Sequence, residues 1–421
     1  MYFTIRQTLN HLSYSEYKTL KYLCHISKNL ANETIYEINK EYQLTKTCLS
    51  YGYAEKRVKG INRKILQSNM AQHIIKYICD MFISFYRLRK QVSNKEYSGN
   101  VNPPKYLDKN GYFILVMQDI PKKIKSKGYF DIPYSERFKK NHPKIRIKTP
   151  PILKDKKIKE IRIVPRYNAR MFEVHYSYEL QKEQVNLDYT KALAIDLGVT
   201  NFATCVSTEG ASFIIDGRKI KSYNHWVNKY KAKLESIKAK QGLGKKQTNR
   251  QYKVSLKRDN RIKDYIGKSC RYIVKYCLLN SIGHIVLGYN DSLQRGINLG
   301  KANNQILSEM PYGEFKYRLG YLCTRYNIKF IIQDESFTSI ASFWDKDELP
   351  TYDKNKDSTQ YIFSGKRIKR GLYKTSTGKL LNSDLNGALN ILRKSNVVID
   401  AVNNLYSMGE LNPPIRVKLH K

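Results

Sequence analysis

The spacing of apolar residues along the chain predicts a helical first part followed by a strand-rich part. Within the first hundred residues, apolar positions recur at steps of three and four, as at Leu20–Leu30 and Ile74–Phe85, and this spacing is typical of amphipathic helices. From about residue 105 to 183, runs such as Lys144–Lys148 and Ile161–Pro165 alternate apolar with polar residues, and paired prolines separate the runs. This alternation predicts a small antiparallel sheet or barrel with many basic outward positions.

After a boundary at residues 185–190, the pattern changes to that of an α/β domain. The apolar run Ala192–Leu197 and two following runs, separated by turns at Gly198 and Gly210, predict a three-stranded meander. The elements predicted after the meander are a basic helical stretch at 218–263 with a buried stripe that continues to Cys277, a strand at 284–289, a helix at 312–326, a strand at 328–335 and a helix at 384–394. This succession is the ribonuclease-H-like α/β order.

The charge of the chain indicates a polyanionic partner. Its 421 residues include 76 Lys and Arg but only 36 Asp and Glu, which gives a formal net charge of +40. Because such an excess repels itself unless polyanions neutralise it, nucleic acid is the expected partner. Abundant Asn, Lys, Ile and Tyr are also typical of AT-rich genomes, but that bias usually supplies Glu together with Lys and so does not explain the excess.

Several classes of protein are disfavoured by what the sequence lacks. No apolar run approaches the roughly 20 residues that a membrane helix needs, and the first residues do not read as a signal peptide. The seven cysteines are odd in number and scattered without a CxxC pair, which argues against a disulfide framework and against a four-cysteine zinc site. We therefore expect a cytoplasmic protein of a bacterial cell, associated with the nucleoid when it is bound to DNA.

Three acidic residues stand at corresponding ends of the predicted C-terminal elements. Asp196 ends an apolar strand, Glu335 follows another strand, and Asp384 begins a helix. Each alone is explained by an ordinary structural role such as helix capping, but together they lie where α/β folds place their sites. Phosphodiester cleavage needs charge stabilisation at the attacking and leaving oxygens, which two Mg²⁺ ions about 3.5–4 Å apart supply when carboxylates hold them. We therefore predict catalytic, metal-binding roles in which Asp196 contacts both ions while Glu335 and Asp384 each complete one side.

The residues around these acids resemble the motifs of a known family. Ala194–Thr204 reads AIDLGVTNFAT and is similar to the first RuvC motif of the TnpB proteins, the transposon-encoded RNA-guided nucleases related to type V CRISPR effectors. Asp384–Leu392 reads DLNGALNIL and resembles the third motif of that family, Asp-x-Asn-x-Ala-x-Asn-Ile. Glu335–Ser339 resembles the segment ahead of the family's zinc-binding insert. Similarity at Lys28–Asn32 and Pro104–Leu107 extends the resemblance over most of the chain.

The resemblance implies an α/β fold in which a C-terminal ribonuclease-H-like (RuvC) nuclease domain is preceded by a wedge-like β-barrel with a helical recognition insertion. The guide RNA and the RNA–DNA heteroduplex would be held by the barrel and the insertion. The implied domains are a barrel at 1–12 and 101–188, a recognition domain at 13–100, and a nuclease domain at 189–421 with its basic helical segment at 218–263 and a degenerate, zinc-less nucleic-acid-binding insertion at about 340–382.

One departure from the family concerns the catalytic glutamate. Many members carry this Glu at the end of the preceding strand, where the present chain has Gly288. Either the acid has moved to Glu335, as in a subgroup of the family, or the site is inactive. Adjacent strands lie about 4.8 Å apart, so a glutamate on the neighbouring strand is expected to reach the same metals, and we favour relocation.

A second departure concerns zinc. Where the family often has two CxxC pairs, this chain has Ala341–Asp347 and then the basic run Lys366–Arg370. No structural zinc is therefore expected, and the insertion would be held by Phe343, Trp344 and Tyr361.

Basic and aromatic side chains are the predicted nucleic-acid contacts, because they suit backbone tracking and base stacking. The predicted contacts are Lys219, Lys221, Trp226, Lys229, Lys231, Arg258, Arg261, Lys366, Arg367, Lys369 and Arg370. For the last four residues, a solvated loop is an equally good explanation. The basic sheet at 122–170 is expected to contribute to binding as well. Guide pairing would read the target sequence, and the protein would read only a short flanking motif.

These observations predict an RNA-guided, Mg²⁺-dependent DNA endonuclease that cleaves beside a short flanking motif. Its expected partners are a guide RNA and double-stranded and single-stranded target DNA, with no membrane. The alternative is a nuclease-dead, RNA-guided DNA-binding repressor, which Gly288 favours and the retained Asp196 and Asp384 oppose. A conventional transposase with the same fold is a third interpretation, which the helical and barrel-like N-terminal half disfavours.

Overall fold

The structure is a computed structural model that describes residues 2–45, 49–97, 99–118, 128–244, 247–290, 300–351, 361–369, 371–409 and 411–419. The chain divides into two compact units, Met1–Gln181 and Lys182–Lys421. Within the described ranges, no helix is both long and apolar enough to cross a lipid bilayer. The cysteines in these ranges are buried free thiols, and Cys48 lies outside them.

The helices of the first unit follow the predicted apolar spacing. They are α1 (Tyr14–Thr45), α2 (Tyr51–Arg57), α3 (Ile61–Ile65), α4 (Ser68–Ser93) and α5 (Glu136–Lys139), with a 3₁₀ turn at Pro151–Leu153. Leu20 and Leu30 of α1 are buried, as are Ile74 and Phe82 of α4, and the two helices pack together. The predicted stripes therefore form a helix–helix contact.

The strands of the first unit are short and antiparallel. They are β1 (Tyr2–Thr8), β2 (Leu115–Met117), β3 (Tyr129–Asp131), β4 (Arg146–Lys148), β5 (Lys157–Arg166) and β6 (Met171–Glu179). A four-stranded sheet has the order β1-β6-β5-β2, and β3 and β4 form a separate ribbon. Ile161, Ile163 and Val174 are fully buried, in keeping with the period-two pattern. Residues 122–127 of the predicted basic sheet lie outside the described residues.

A six-stranded sheet forms the centre of the second unit. Its strands are β7 (Asp188–Leu197), β8 (Asn201–Ser207), β9 (Ser212–Asp216), β10 (Ile282–Gly288), β11 (Lys329–Gln333) and β15 (Ile415–Val417), in the order β11-β10-β7-β8-β9-β15. The meander β7-β8-β9 is antiparallel, whereas β10 runs parallel to both β7 and β11. This arrangement confirms the predicted ribonuclease-H-like α/β class.

Helices cover both faces of this sheet. They are α6 (Arg218–Lys240), α7 (Asn249–Leu279), α8 (Lys301–Ser308), α9 (Tyr312–Arg325), α10 (Ser383–Lys394) and α11 (Ile399–Ser407), beside a small sheet of β12 (Lys366–Lys369), β13 (Leu372–Lys374) and β14 (Leu380–Asn382). Leu193 and Ile195 of β7 pack among residues of α7 and α9, whereas Ala192 and Ala194 pack among residues of α10. Because side chains alternate along a strand, Asp196 belongs to the face that α10 covers.

The basic stretch predicted as helical at 218–263 is helical and is divided between two helices. The first helix ends at Lys240, and Gly242 has a φ of +63°, a left-handed conformation that suits glycine. The second helix begins after Thr248, whose side chain caps the backbone of Gln251 while the Gln251 side chain caps Thr248 in return. The break makes α6 and α7 a hairpin. Residues 245 and 246 lie outside the described residues.

Candidate active site

Asp196 and Glu335 lie at the same edge of the central sheet, on either side of β10. Ile195 of β7 is in register with Leu287 of β10, and Gly288 of β10 is in register with Gln333 of β11. Glu335 follows two residues after β11 ends. The carboxyl ends of these parallel strands therefore meet at one edge, which is where α/β sheets place their sites.

Asp384 faces this edge from the first turn of α10 and is not the cap of that helix. The cap is Asn382, whose side-chain oxygen accepts from the backbone N–H of Asp384 at 2.9 Å and of Leu385 at 3.1 Å. The Asp384 carboxylate accepts instead from Asn201 Nδ2 at 2.6 Å. Asn201 is oriented by Arg416, which donates to its side-chain oxygen at 2.7 Å. The capping explanation of Asp384 is therefore wrong, and its carboxylate belongs to the site.

Asp196 is close enough to the other two carboxylates to be influenced by both. Burial raises the pKa of Asp196 well above its ordinary value, and the nearby carboxylates of Asp384 and Glu335 raise that pKa further. Burial, with a contribution from Asp334, raises the pKa of Glu335 to about 7. Gly387 of α10 leaves room for the Asp196 carboxylate against the helix, since a Cβ at position 387 would lie 3.2 Å from Asp196 Oδ2.

A side chain at Gly288, where the resemblance would place an acid, would have to displace the end of the Ile391 side chain. Its neighbour Val286 packs in the cluster that contains α10, so position 288 faces the same helix. A Cβ at Gly288 would lie 2.3 Å from Cδ1 and 2.9 Å from Cγ1 of Ile391. The Ile391 side chain therefore fills the volume in which an acid at position 288 would start.

The donor set suits a hard divalent cation. Asp196, Glu335 and Asp384 offer only carboxylate oxygens, which are the ligands that Mg²⁺ prefers. Burial first, and the carboxylates of Asp384 and Glu335 second, raise the pKa of Asp196, and a bound cation would favour its charged form. Within the described ranges, however, no three His, Cys, Asp or Glu side chains already stand at metal-binding separations. The residues fit Mg²⁺ by type and location, and their side chains would have to close around it.

The raised pKa of Glu335 predicts a pH-dependent stability. A carboxyl with a pKa of about 7 in the folded state and about 4.3 in the unfolded chain keeps its proton longer when folded. Its contribution to stability is therefore present below pH 4.3 and lost as the pH rises towards 7. In EDTA at pH 8, the free energy of unfolding of Glu335→Gln should exceed that of the wild type by on the order of 1 kcal/mol. The variant should therefore unfold at a higher urea concentration.

Urea midpoints at pH 5, 6, 7 and 8 would test this expectation. The advantage of Glu335→Gln should grow with pH, whereas Glu348→Gln, an exposed acid in the same segment, should show no such trend. An advantage that is equal at every pH would contradict a raised pKa.

The predicted nucleic-acid contacts fall on two surfaces of the second unit. On the hairpin of α6 and α7, Trp226 lies parallel to Tyr223 and Tyr230, with ring centroids 5.7 and 5.5 Å apart. Arg261 lies over Tyr223 at 4.6 Å and Arg250 over Tyr230 at 5.6 Å, which completes an aromatic column with an arginine at each end. Of the predicted hairpin residues, those exposed are Lys219, Trp226, Lys229 and Arg261, and those half-buried are Lys221, Lys231 and Arg258.

Arg258 has partners within the hairpin. Its Nε donates to Asn224 Oδ1 at 3.0 Å, and its Nη1 lies 3.1 Å from Asp259 Oδ1. The side chain therefore joins α7 to α6, a role that sequence spacing did not suggest.

The second basic surface is β12, where Lys366, Arg367 and Lys369 are exposed, while Arg370 lies outside the described residues. Arg367 reaches the candidate active site. Its Nη2 lies 3.7 Å from Asp384 Oδ1 and donates to Ser383 Oγ at 3.0 Å. A residue predicted only as a phosphate contact is thus beside a predicted metal ligand.

The insertion between Glu335 and Asp384 is held by aromatic packing and by two aspartates. Phe343 is fully buried and stacks on Tyr406 at 4.6 Å, and Trp344 packs edge-on against both rings. Asp345 accepts from the backbone and hydroxyl of Ser376, and Asp347 accepts from the backbone N–H of Ser342 and of Ser364. Tyr361, also predicted to hold the insertion, packs against Phe337 at 5.1 Å.

Several residues of the site were missed by sequence reasoning. Asn201 lies in the first motif, and Asn386 and Asn390 lie in the third. Their presence in the motifs could have marked them as residues of the site, but only the acid of each motif was assigned a role. Arg416 lies on β15, a short C-terminal strand that the apolar pattern did not predict. Its role depends on the pairing of β15 with β9, a contact between segments about 200 residues apart.

Comparisons with known proteins agree with the motifs and the fold. A family model described as a probable transposase of the OrfB_IS605 type matches residues 175–294. The TnpB-like protein ORF457 of Acidianus two-tailed virus is 23% identical over 222 residues, which are 50% of this chain and 44% of the viral protein. The structure of a Cas12f1–sgRNA–target DNA complex matches 89% of this chain and 82% of the other, with a TM-score of 0.55 and 14% identity. The resemblance to the TnpB family is thereby confirmed, and the Cas12f1 match shows a shared fold.

Proposed function

Taking the TnpB family as the premise, we propose that this chain is an RNA-guided, Mg²⁺-dependent DNA endonuclease that cuts target DNA next to a short flanking motif. The observation that carries this proposal is the convergence of Asp196, Glu335 and Asp384 at one edge of the central sheet. Partly buried like charges are costly unless a function retains them, and perturbed carboxylates in such a place mark a candidate site.

In the proposed site, Asp196, Glu335 and Asp384 would hold Mg²⁺. When bound, Mg²⁺ stabilises charge on the attacking and leaving oxygens of a phosphodiester and lowers the pKa of water. Asn201 keeps the Asp384 carboxylate in place through its 2.6 Å hydrogen bond. Arg367, half-exposed beside Asp384, is suited to contact a phosphate of the strand that is cut.

Guide RNA and target DNA are the proposed partners. The net charge of +40 requires polyanions, and the end arginines of the aromatic column offer N–H groups to phosphates while the edge of Trp226 is exposed. By resemblance, residues 13–100 would form the recognition domain, residues 1–12 and 101–188 the wedge, and residues 189–421 the nuclease.

Cleavage of a plasmid library tests this function directly. The protein is expressed with its native downstream locus, so that any guide RNA is present, and is assayed in Mg²⁺ and in EDTA. The expected result is a copurifying structured RNA and Mg²⁺-dependent cuts at a fixed offset from a short motif. Absence of copurifying RNA would overturn both guided interpretations, and a conventional transposase would then be the better explanation.

The aromatic column predicts a specific effect on RNA binding. Replacing both Arg250 and Arg261 by Gln should weaken guide RNA binding about tenfold and should lower the slope of log affinity against log salt by about 0.7 for each lost phosphate contact. Filter binding between 50 and 300 mM salt would measure both quantities. Arg325→Gln is the matched control, because Arg325 already pairs with Glu183. An unchanged slope in the double variant would contradict phosphate contact by the column.

A nuclease-dead, RNA-guided repressor remains the alternative function. Gly288 in place of the family's acid favours it, and so does the finding that the described carboxylates do not yet stand at metal-binding separations. Sequence-specific binding without cutting, in the same library assay, would select this alternative.

A further inference from the structure

Glu335 lies on an irregular segment that needs support from outside itself. After β11 ends at Gln333, residues 334–350 form turns and no strand or helix. Two residues after Glu335, Phe337 has a φ of +65°, which is a strained conformation for a bulky side chain. Such a conformation persists only when surrounding contacts determine it.

Lys394, in the last turn of α10, supplies contacts on both sides of Glu335. Its side chain is only 7% exposed. Its Nζ lies 2.9 Å from Asp334 Oδ2 and donates to the Ser336 carbonyl at 3.0 Å and to the Pro350 carbonyl at 3.1 Å. An ammonium has three N–H donors, so every donor of Lys394 is used on this segment.

Two asparagines extend the same contact along α10. Asn390 Nδ2 donates to the carbonyls of Thr338 at 2.9 Å and Ala341 at 2.7 Å. Asn386 donates to the Ala341 carbonyl at 2.7 Å and accepts from Phe343 N at 3.0 Å. Residues four apart share one face of a helix, so Asn386, Asn390 and Lys394 form a continuous row, here called the anchoring row. The row begins two residues after Asp384, on the same helix.

We infer that Lys394 is a positioning residue that fixes the Glu335 carboxylate relative to Asp384. This inference rests on the proposed nuclease function and deepens it. A glutamate at the end of a strand would be placed by the backbone hydrogen bonds of the sheet, but Glu335 lies beyond the end of β11. The anchoring row takes the place of those hydrogen bonds. Helix α10 carries Asp384 and also holds the loop that carries Glu335.

The test uses full-length protein with guide RNA and target DNA, and compares Lys394→Met, Lys394→Arg and Lys238→Met. Lys238 is a matched control, since its side chain is 5% exposed and pairs with Glu235 in α6. In Lys394→Met, amide exchange in residues 334–350 should become faster without any metal present. The Mg²⁺ concentration for half-maximal cleavage should rise, and the rate should fall about a hundredfold, as expected for an ångström-scale misplacement. Guide and target affinity should be unchanged.

Lys394→Arg keeps the charge and the donors and should restore most of the rate and the slow exchange, whereas Lys238→Met should alter neither the exchange of 334–350 nor the Mg²⁺ dependence. If Lys394→Met does not fold, Asn390→Ser removes an adjacent contact of the row and should change the same two readouts.

Unchanged exchange in Lys394→Met, or faster exchange with wild-type cleavage, would overturn the inference while leaving the nuclease intact. A wild-type protein that fails to cut would overturn the proposed function and this inference together.

Discussion

Replacing Glu335 by Gln is expected to reduce Mg²⁺-dependent DNA cleavage about a thousandfold while leaving guide RNA and target binding intact. Gln has the same shape but carries no charge, so the site loses one anionic oxygen donor without losing volume. Because Asp196 and Asp384 remain, the variant isolates the acid whose position departs from the family. Single-turnover cleavage of a preformed complex, with filter binding measured in parallel, separates the chemical step from assembly.

Two further variants sharpen this result. Glu348→Gln changes an exposed acid of the same segment and should cut like the wild type. Moving the acid to the usual family position, with Gly288→Glu combined with Glu335→Gln, should not restore cleavage, because Ile391 occupies the space beside Gly288. Undiminished cutting by Glu335→Gln would show that another residue completes the site. Rescue by the double variant would show that Ile391 moves aside.

Replacing Asp347 by Ala is expected to destabilise the second unit by roughly 3 kcal/mol. The Asp347 carboxylate accepts from Ser342 N at 2.7 Å, from Ser364 N at 3.0 Å and from Ser364 Oγ at 2.5 Å, which joins the start of the insertion to its middle. Removing the carboxylate leaves these donors without their charged partner. The change should lower Tm by roughly 5–10 °C, as measured by calorimetry.

The same experiment examines whether the insertion needs zinc. EDTA should not change the Tm of the wild type, and metal analysis should find less than one zinc per chain. The reason is that Asp345 and Asp347 accept hydrogen bonds from Ser376 and Ser342 in the segment where the resemblance would place the zinc-binding cysteines. Glu348→Ala is the control, since Glu348 neighbours Asp347 but is exposed. A large loss of Tm in EDTA together with a mild effect of Asp347→Ala would mean that a metal holds the insertion.

The local pattern located most of the second unit correctly. The predicted strand at Ala192–Leu197 lies within β7, the predicted helix at 384–394 differs from α10 by one residue, and the buried stripe Ile262–Cys277 faces the core. These elements could be predicted because each buries a regular row of apolar residues, and the row follows from backbone geometry alone. The prediction of a basic helical stretch at 218–263 did not locate the break within it, because charge dominated its composition and hid the capping residues around Thr248.

The sequence by itself determined the ribonuclease-H-like order, the need for a polyanionic partner and the three candidate acids, because period, charge and motif spacing are properties of short segments. Only the tertiary structure decided that Asn201 holds Asp384, that Ile391 fills the space beside Gly288, and that Lys394 anchors both sides of Glu335. Each of these contacts joins residues that are at least 58 positions apart in the chain. Such contacts are set by how the elements pack against one another, and no local pattern records them.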